Sequence, residues 1–506
     1  MRTREIGSHP LILFGVFFFS LALIRIPLAA MVLPYRDDGE TLYHAFALLR
    51  GLVPYREDIS HHFLGYVLPF CGAAKIFGMT PSLIPLLYLV NQALSATLLY
   101  AILRFFLSRP LSLTGACLLL CAREPFVLSF FPFYEVNLLM LVVWYCALRA
   151  LRSGEERWLF LCALAAGAAL TFDQRGVFLA IIPVALLFLE SRKLLVAANI
   201  VGALASYLAA PILALIYLAT NNALVPFFEQ TLIYPFLYRS AGTPLGTLRN
   251  LIEMHLPLLN DTPILLLAAT SGAVAILARP IIDRSEQVLL LFFALPVFLM
   301  PLLGGRGFDY YSLPYLPLLA LLTPFASVLF SRRSALAQRT LLVILWTPVL
   351  LAAAMTIKLS RSGELATQQR DAVSSVVEFL KNQTDRVPNQ TFLWGYRPDL
   401  YVLLKETSPL PFVNRQLIHP DAAITGQAER ESHVYPKYAD LFRDQLHRLA
   451  PQYIVLYEEQ PLLYSPSDVE LRGFVGLYYE QVFAAHGNGI NGSLHRFSVF
   501  KRRSLP

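Results

Sequence analysis

The chain has 506 residues, of which 56% are hydrophobic and only 15% charged, and its mean hydropathy is +0.55. Soluble domains carry about 25% charged residues, so this composition excludes an ordinary soluble protein and indicates a membrane protein. The net charge is +7, but the basic residues lie in short clusters between apolar segments. That distribution excludes a nucleic-acid-binding stripe and is typical of cytoplasmic loops.

Long apolar runs dominate the first 360 residues. The first run, 10–33, exceeds the core of a signal peptide and is long enough to cross a bilayer, which takes about 20 apolar residues. We therefore predict a polytopic α-helical membrane protein with about 11 transmembrane helices. Further spans are predicted at 81–107, 110–130, 135–151, 158–171, 176–190, 194–220, 262–279, 286–303, 311–330 and 338–357.

Basic residues indicate the orientation of these spans. With the N-terminus in the cytoplasm, each predicted cytoplasmic turn carries at least two of them, as the positive-inside rule requires. These are Arg104, Arg109, Arg149, Arg152, Arg157, Arg192, Lys193, Arg279, Arg284, Arg332, Arg333 and Arg339. The first outer loop, 34–80, holds an amphipathic run, 38–50, and an apolar stretch, 63–77, which we interpret as helices in the outer interface.

After residue 361 the composition becomes polar. A helix at 367–381, a strand at 391–396, a helix at 437–449 and a buried strand at 451–457 are predicted in turn. Two further strands, 478–485 and 493–502, flank a Gly/Asn-rich turn and predict a hairpin. We therefore divide the chain into a transmembrane catalytic domain, 1–360, and a C-terminal α/β domain on the outer face, 361–506.

Unusual polar residues of the membrane part collect on the predicted outer side. Asp37, Asp38 and Glu40 follow the first span, and the same loop contains Tyr43, Tyr55, Asp58, His61 and His62. The later outer loops supply Arg123, Glu135, Asp173, Arg175, Arg306, Asp309 and Tyr311. Charged groups beside a hydrophobic bundle are costly and usually functional, so an outward-facing site is expected.

The segment 36–70, RDDGETLYHAFALLRGLVPYREDISHHFLGYVLPF, resembles the first outer loop of the GT-C glycosyltransferases. It is similar to the branch that contains protein O-mannosyltransferases and aminoarabinose lipid A transferases. The similarity lies in an acidic motif after the first span and in Gly51, Pro54, Tyr55 and Asp58, which fit the residue types of the family's G-x-P-Y-x-D pattern. The chain departs from that pattern at His61-His62-Phe63-Leu64, where a Pro-Pro or Pro-Gly turn is usual. The stretch 305–322 resembles the family's late G-R-x-x-x-H-Y segment, with Asp309 or Tyr310 where His is common.

The resemblance implies a membrane glycosyltransferase that moves a sugar from a polyprenyl-phosphate donor to a hydroxyl acceptor, with inversion, on the outer face of a bacterial inner membrane. The acceptor is a glycan, a lipid or a protein, and no nucleic acid is expected as a partner. Such a reaction needs a carboxylate base, Asp37 or Asp38, with Glu40 assisting. Cations must stabilise the leaving phosphate, and the candidates are Arg123, Arg175 and Arg306.

The other polar residues are candidate substrate-binding groups: Tyr43, Tyr55, Asp58, His62, Glu135, Asp173, Asp309 and Tyr311. No cofactor or metal site is assigned, although acids near two histidines can bind a divalent cation. The alternatives stay open. The acids can cap a helix that begins near residue 39, and Asp173 and Arg175 can form a structural ion pair. A transporter, a lipid flippase or an inactive GT-C-like assembly protein are the competing functions.

Overall fold

A computed structural model describes residues 10–29, 36–121, 132–189, 196–235, 252, 263–278, 282–304, 312–327, 346, 364–395, 397–413, 436–459, 466–488 and 494–503. Helices occupy every predicted span except the last, 338–357, which lies outside this part apart from residue 346. The helices are α1 Pro10–Ala29, α2 Arg36–Leu49, α3 Leu68–Phe77, α4 Leu83–Leu103, α5 Arg109–Cys121, α6 Pro132–Ser153, α7 Glu156–Phe172, α8 Ile181–Leu189, α9 Ala197–Thr220, α10 Leu224–Phe228, α11 Pro263–Ala278, α12 Arg284–Gly304 and α13 Tyr315–Leu322.

Four of these helices are long and apolar enough to cross a membrane, namely Leu83–Leu103, Phe133–Ser153, Ala197–Thr220 and Arg284–Leu303. Shorter apolar helices complete the bundle. On α9 only 6% of the apolar window is buried inside the protein, so this helix presents apolar side chains outward along most of its length. Such a surface is stable against lipid and not against water.

Glycines allow the helices of the bundle to approach closely. A Cβ on Gly167 of α7 would lie 1.8 Å from the carbonyl oxygen of Tyr207 in α9. A Cβ on Gly272 of α11 would lie 2.0 Å from the carbonyl oxygen of Leu322 in α13. Small residues at such crossings are a common feature of helix packing in membranes, where van der Waals contact replaces the hydrophobic effect.

The segment between α1 and α4 contains two helices where the sequence predicts them, and their location at the outer interface stays a prediction. Helix α2 ends where Gly51 adopts φ +89°, the left-handed conformation that favours glycine after a helix. A 3₁₀ turn, Leu64–Val67, leads into α3, which ends at Gly78 with φ +78°. Gly65 in that turn lies against α7, because a Cβ there would come within 2.5 Å of the Thr171 carbonyl oxygen.

The C-terminal region contains a four-stranded sheet with the order β1-β2-β4-β3. Strand β1 pairs with β2 in parallel, whereas β4 pairs antiparallel with both β2 and β3, and β3 and β4 form the hairpin predicted across 487–492. Helices α15 and α17 were not expected from the sequence. The elements are α14 Glu364–Lys381, β1 Thr391–Trp394, α15 Asp399–Leu404, α16 Pro436–Leu449, β2 Tyr453–Glu459, α17 Pro466–Tyr478, β3 Tyr479–Asn488 and β4 Leu494–Arg502.

Candidate active site

Helix α2 carries a buried polar cluster. Asp38, Glu40, Tyr43 and His44 are each at most 4% exposed. Glu40 and His44 are four residues apart and therefore share one face of the helix. Asp37 belongs to the same helical turn, but its side chain lies outside the described part of the chain. The acids after the first span thus belong to a helix, as the capping alternative supposed, yet those that are described point into the protein.

His44 joins two of the predicted acids. Its Nδ1 lies 2.6 Å from Asp58 Oδ2, and its Nε2 lies 3.1 Å from Glu40 Oε1. A neutral imidazole has a single N–H, so it can donate to only one of two carboxylates. Two ionised acceptors on opposite ring nitrogens therefore require the imidazolium form. The three side chains form a buried chain of charge-assisted hydrogen bonds.

The pKa shifts of His44 and Glu40 agree with that geometry, whereas the pKa of Asp58 is shifted in the opposite direction. Burial tends to lower the pKa of His44, but the two carboxylates outweigh it and raise this pKa to about 10. Burial tends to raise the pKa of Glu40, but the hydrogen bond from His44 outweighs it and holds this pKa at about 2. Burial raises the pKa of Asp58, against the opposing charge of His44. Glu40 is therefore an ionised, strongly held carboxylate at neutral pH and a poor proton acceptor.

A tight turn brings Asp58 to His44. Tyr55 adopts φ +66°, and its backbone N–H donates to the carbonyl oxygen of Asp58 at 2.7 Å. The Tyr55 hydroxyl donates to the carbonyl oxygen of His62 at 2.8 Å, and Glu57 accepts from the N–H of Val53. A left-handed tyrosine is strained, so the surrounding contacts must hold it in place. Tyr55 therefore stabilises the conformation of this turn.

His61 and His62 lie at the edge of the same cluster. Their rings are 4.0 Å apart between centroids, and His61 Nδ1 is 3.9 Å from Glu40 Oε1. Burial lowers the pKa of both imidazoles, so they are neutral at pH 7. One ligand atom from each of Glu40, His61 and His62 falls within 4.8 Å of the others. Two neutral imidazoles and a carboxylate are a donor set that zinc accepts.

Two predicted residues of a later loop form an ion pair. Arg175 Nε and Nη2 donate to the two carboxylate oxygens of Asp173, both at 2.7 Å. The Asp173 carboxylate also accepts from the Arg175 backbone N–H at 2.8 Å. The guanidinium lies over the ring of Phe133, 3.9 Å from its centroid. This geometry agrees with the structural ion pair, and it also fixes a cation beside the cluster.

Glu135, in the first turn of α6, is a further buried acid, and it lies near Asp38 of α2. It is 5% exposed, and within the described part of the chain its carboxylate oxygens have no hydrogen-bond partner. Its carboxylate and that of Asp38 are close enough to interact electrostatically. A buried carboxylate without a partner is costly, and such groups are more common at functional sites than in a structural core.

The C-terminal region forms part of the wall around the acidic turn. The backbone N–H of Ser408 donates to Tyr43 Oη at 2.9 Å, and the Tyr43 ring lies 5.1 Å from the ring of Tyr401. A Cβ on Gly39 would lie 3.3 Å from Asp399 Oδ1. Because Gly39 separates Asp38 from Glu40, the backbone of the acidic turn packs directly against the C-terminal region.

Gln230, which the sequence did not single out, connects three parts of the structure. Its Nε2 donates to the carbonyl oxygen of Tyr55 at 2.7 Å and to Tyr438 Oη at 3.0 Å, and its Oε1 accepts from the N–H of Ser60 at 3.0 Å. The residue is fully buried. It therefore ties the turn around Asp58 both to the segment after α10 and to α16.

An apolar cavity of about 490 Å³ opens beside Phe63 and Leu64. It lies between the start of the 3₁₀ turn at Leu64, the end of α7, the middle of α9 and the segment that follows α10. Almost all of its surface is hydrocarbon, and its lining includes Phe63, Leu170, Val177, Leu215, Phe227 and Leu303. Phe63 and Leu64 directly follow His62, so an apolar chain in this cavity would end close to the polar cluster.

Other predicted site residues are not described. Arg123, Arg306, Asp309 and Tyr311 lie outside the described part of the chain, so their positions stay predictions. Sequence reasoning also missed functional-looking residues. The i,i+4 spacing of Glu40 and His44 was a local signal that could have identified the bridging histidine. Nothing local pointed to Asp399 or Gln230, because their importance arises from contacts distant in sequence.

The fold, but not the sequence, resembles known proteins. No protein-family model matches the chain, and no curated protein matches it. Among solved structures, ArnT from Cupriavidus metallidurans bound to undecaprenyl phosphate is 14% identical, with a TM-score of 0.56 over 96% of this chain and 98% of that one. The chain has the ArnT fold.

The apo structure of the same ArnT gives a TM-score of 0.55 at 14% identity over 97% of this chain and 98% of that one. The arabinosyltransferase EmbB from Mycobacterium smegmatis gives a TM-score of only 0.44 at 15% identity, over 94% of this chain and 44% of that one. ArnT is the aminoarabinose lipid A transferase, a GT-C membrane glycosyltransferase. The predicted resemblance is therefore confirmed for the fold, together with the membrane class of the protein.

Proposed function

We propose that the protein is an inverting glycosyltransferase that moves a sugar from a polyprenyl-phosphate donor to a hydroxyl acceptor. The observation that carries this proposal is the buried acidic turn of α2 beside an apolar cavity, in a fold shared with an ArnT that was solved with undecaprenyl phosphate. Sugar transfer from a lipid carrier requires a carboxylate for the acceptor and, beside it, an apolar cavity for the isoprenoid chain of the donor.

The base in this proposal is Asp38 or its neighbour Asp37. In the reaction, the acceptor hydroxyl attacks C1 of the sugar from the face opposite the phosphate, and its proton passes to the carboxylate. The bond between C1 and the phosphate oxygen breaks, and polyprenyl phosphate leaves. Glu40 is a less suitable base because His44 holds it as an anion with a pKa of about 2. We therefore assign Glu40 to positioning.

The leaving phosphate needs cations, and Arg175 is the described candidate. Asp173 and the ring of Phe133 hold its guanidinium in one orientation, which reduces the entropy lost when it contacts a phosphate. Arg123 and Arg306 remain proposed partners from the other outer loops. The isoprenoid chain would occupy the apolar cavity, where the side chains of α9 and α10 exclude water.

The remaining assignments follow the orientation derived from the sequence. We place the acidic turn and the C-terminal region on the outer face of a bacterial inner membrane, with the N-terminus in the cytoplasm. The salt bridge from Arg152 to Glu286 at 2.7 Å joins two helix ends that this orientation assigns to the cytoplasmic side. The C-terminal region would then cover the site and contact the acceptor, which is a glycan, a lipid or a protein.

A transfer assay tests the proposal. Purified full-length protein in lipid nanodiscs would be supplied with a panel of radiolabelled polyprenyl-phosphate sugars and with lipid, glycan and peptide acceptors. We expect turnover with one donor and a product whose anomeric configuration is opposite to that of the donor. A product of retained configuration would contradict the single-displacement mechanism, and no turnover across the panel would count against the proposed activity.

A further inference from the structure

A buried ion pair in the C-terminal region lies against the acidic turn. Arg397 Nε and Nη2 donate to Asp399 Oδ1 and Oδ2 at 2.9 and 2.7 Å, and the two residues are 2% and 1% exposed. Taking two charges out of water opposes their attraction, so a buried pair is weak evidence for a purely stabilising role. The position of this pair is more informative than its strength.

The point of contact is Gly39. A Cβ added there would meet Asp399 Oδ1 at 3.3 Å, Asp399 Cβ at 3.4 Å and the Asp399 backbone nitrogen at 3.5 Å. Glycine weakens a helix, yet here it lies inside the helix between two functional acids. The close approach of Asp399 accounts for it, since a methyl group there would require the Asp399 side chain or the turn to shift by a few tenths of an ångström.

A second contact between the C-terminal region and α2 is made by Tyr43, one helical turn after Gly39. Tyr401 follows the pair in α15, and its ring packs on Tyr43. Tyr401 Oη accepts from the N–H of Leu393 in β1 at 2.7 Å and donates to Ser408 Oγ at 3.1 Å. The Ser408 N–H in turn donates to Tyr43 Oη. The sheet is therefore connected to α2 through buried hydrogen bonds.

We propose that Arg397 and Asp399 are positioning residues that set the location of the acidic turn relative to the substrates. The inference rests on the proposed function, because it assigns the C-terminal region a part in that same site. The ion pair makes Asp399 a rigid support, and the Gly39 backbone rests on it. Asp38 and Glu40, on either side of Gly39, are thereby held in a fixed position relative to the substrates. A misplacement of about 1 Å in a catalytic group can cost about 100-fold in rate.

The chain offers a matched control pair. Arg386 also makes two bonds to one carboxylate, from Nη2 to Glu406 Oε1 at 2.9 Å and from Nη1 to Glu406 Oε2 at 3.2 Å, and these side chains are 12% and 6% exposed. Lysine cannot reproduce a two-bond contact in either pair. Arg397→Lys and Arg386→Lys should therefore lower the melting temperature to a similar extent. Only Arg397→Lys should lower kcat, by about 10- to 100-fold, with KM for the donor unchanged.

A double-mutant cycle tests the contact itself. Gly39→Ala should lower kcat about 10-fold at constant KM, whereas Gly72→Ala, whose new Cβ meets nothing within 4 Å, should leave kcat unchanged. In an Asp399→Ala background the further loss from Gly39→Ala should be under 2-fold, because the obstructing carboxylate is gone.

The outcomes separate the two proposals. If the wild type transfers sugar but Arg397→Lys loses no more kcat than Arg386→Lys, the positioning role is overturned and the proposed function stands. Additive losses in the cycle would also overturn it. If the wild type transfers no sugar, the proposed function fails and the positioning role fails with it.

Discussion

Replacing His44 with glutamine should make the stability of the protein less dependent on pH. His44 bridges Glu40 and Asp58 from within a site that excludes water, and only its protonated form can donate to both. Glutamine retains one donor group and one acceptor group but carries no charge. The variant therefore leaves two buried carboxylates beside a neutral amide.

The magnitude follows from the pKa of His44, which rises from 6.5 to about 10 on folding. Each unit corresponds to about 1.4 kcal/mol, so the protonated bridge contributes about 5 kcal/mol at most. Breaking a buried ion pair by removing one partner typically costs about 3–5 kcal/mol. Because the folded-state pKa is raised, this contribution is fully present below pH 6.5 and is lost as the pH rises towards 10.

The assay is thermal unfolding of the purified protein in detergent at pH 6.5, 8 and 9.5. We expect the wild type to melt about 5 °C or more above His44→Gln at pH 6.5, and the difference to shrink steadily at the higher values. His486→Gln, which changes an exposed histidine of β3, is the control and should show no such trend. A difference that stays constant across this range would refute a protonated bridge.

Three further changes test other parts of the structure. Gly65→Ala should cost about 1–3 kcal/mol, because its Cβ would meet the Thr171 carbonyl oxygen at 2.5 Å, and a melting point equal to that of Gly72→Ala would contradict this packing. Leu215→Trp should fill the apolar cavity and weaken undecaprenyl-phosphate binding by about 10-fold or more in native mass spectrometry, unlike Leu213→Trp at an exposed position of α9. Zinc should bind at one ion per chain in isothermal titration calorimetry and be lost in His62→Ala, and no binding to the wild type would contradict this site.

Periodicity and turn chemistry were sufficient to predict many elements. Apolar runs located the helices of the bundle to within a few residues, since a membrane helix must bury nearly every side chain in hydrocarbon or protein. The amphipathic run 38–50 predicted α2, and the Gly/Asn-rich turn at 487–492 predicted the pairing of β3 with β4. These signals are local, so they can be read from a single sequence.

The assembly of the site could not be read in the same way. Gly39 and Asp399 are separated by most of the chain, and the sequence gives no sign that one requires space beside the other. Gln230 joins the turn around Asp58 to α16 through hydrogen bonds that depend on the final packing. The sequence listed the acids as candidate site residues but gave no means of distinguishing a base from a positioning residue. That distinction required the position of His44.

The central claim is tested most directly by single-turnover transfer with Asp38→Asn and Glu40→Gln, in the same nanodiscs and with the donor that the wild type accepts. The asparagine keeps the size of the side chain but cannot take a proton. We expect Asp38→Asn to lose about 100-fold or more in rate while it binds undecaprenyl phosphate like the wild type, and Glu40→Gln to retain more activity. Wild-type transfer rates in Asp38→Asn and Asp37→Asn alike would contradict the assignment of the base to this turn.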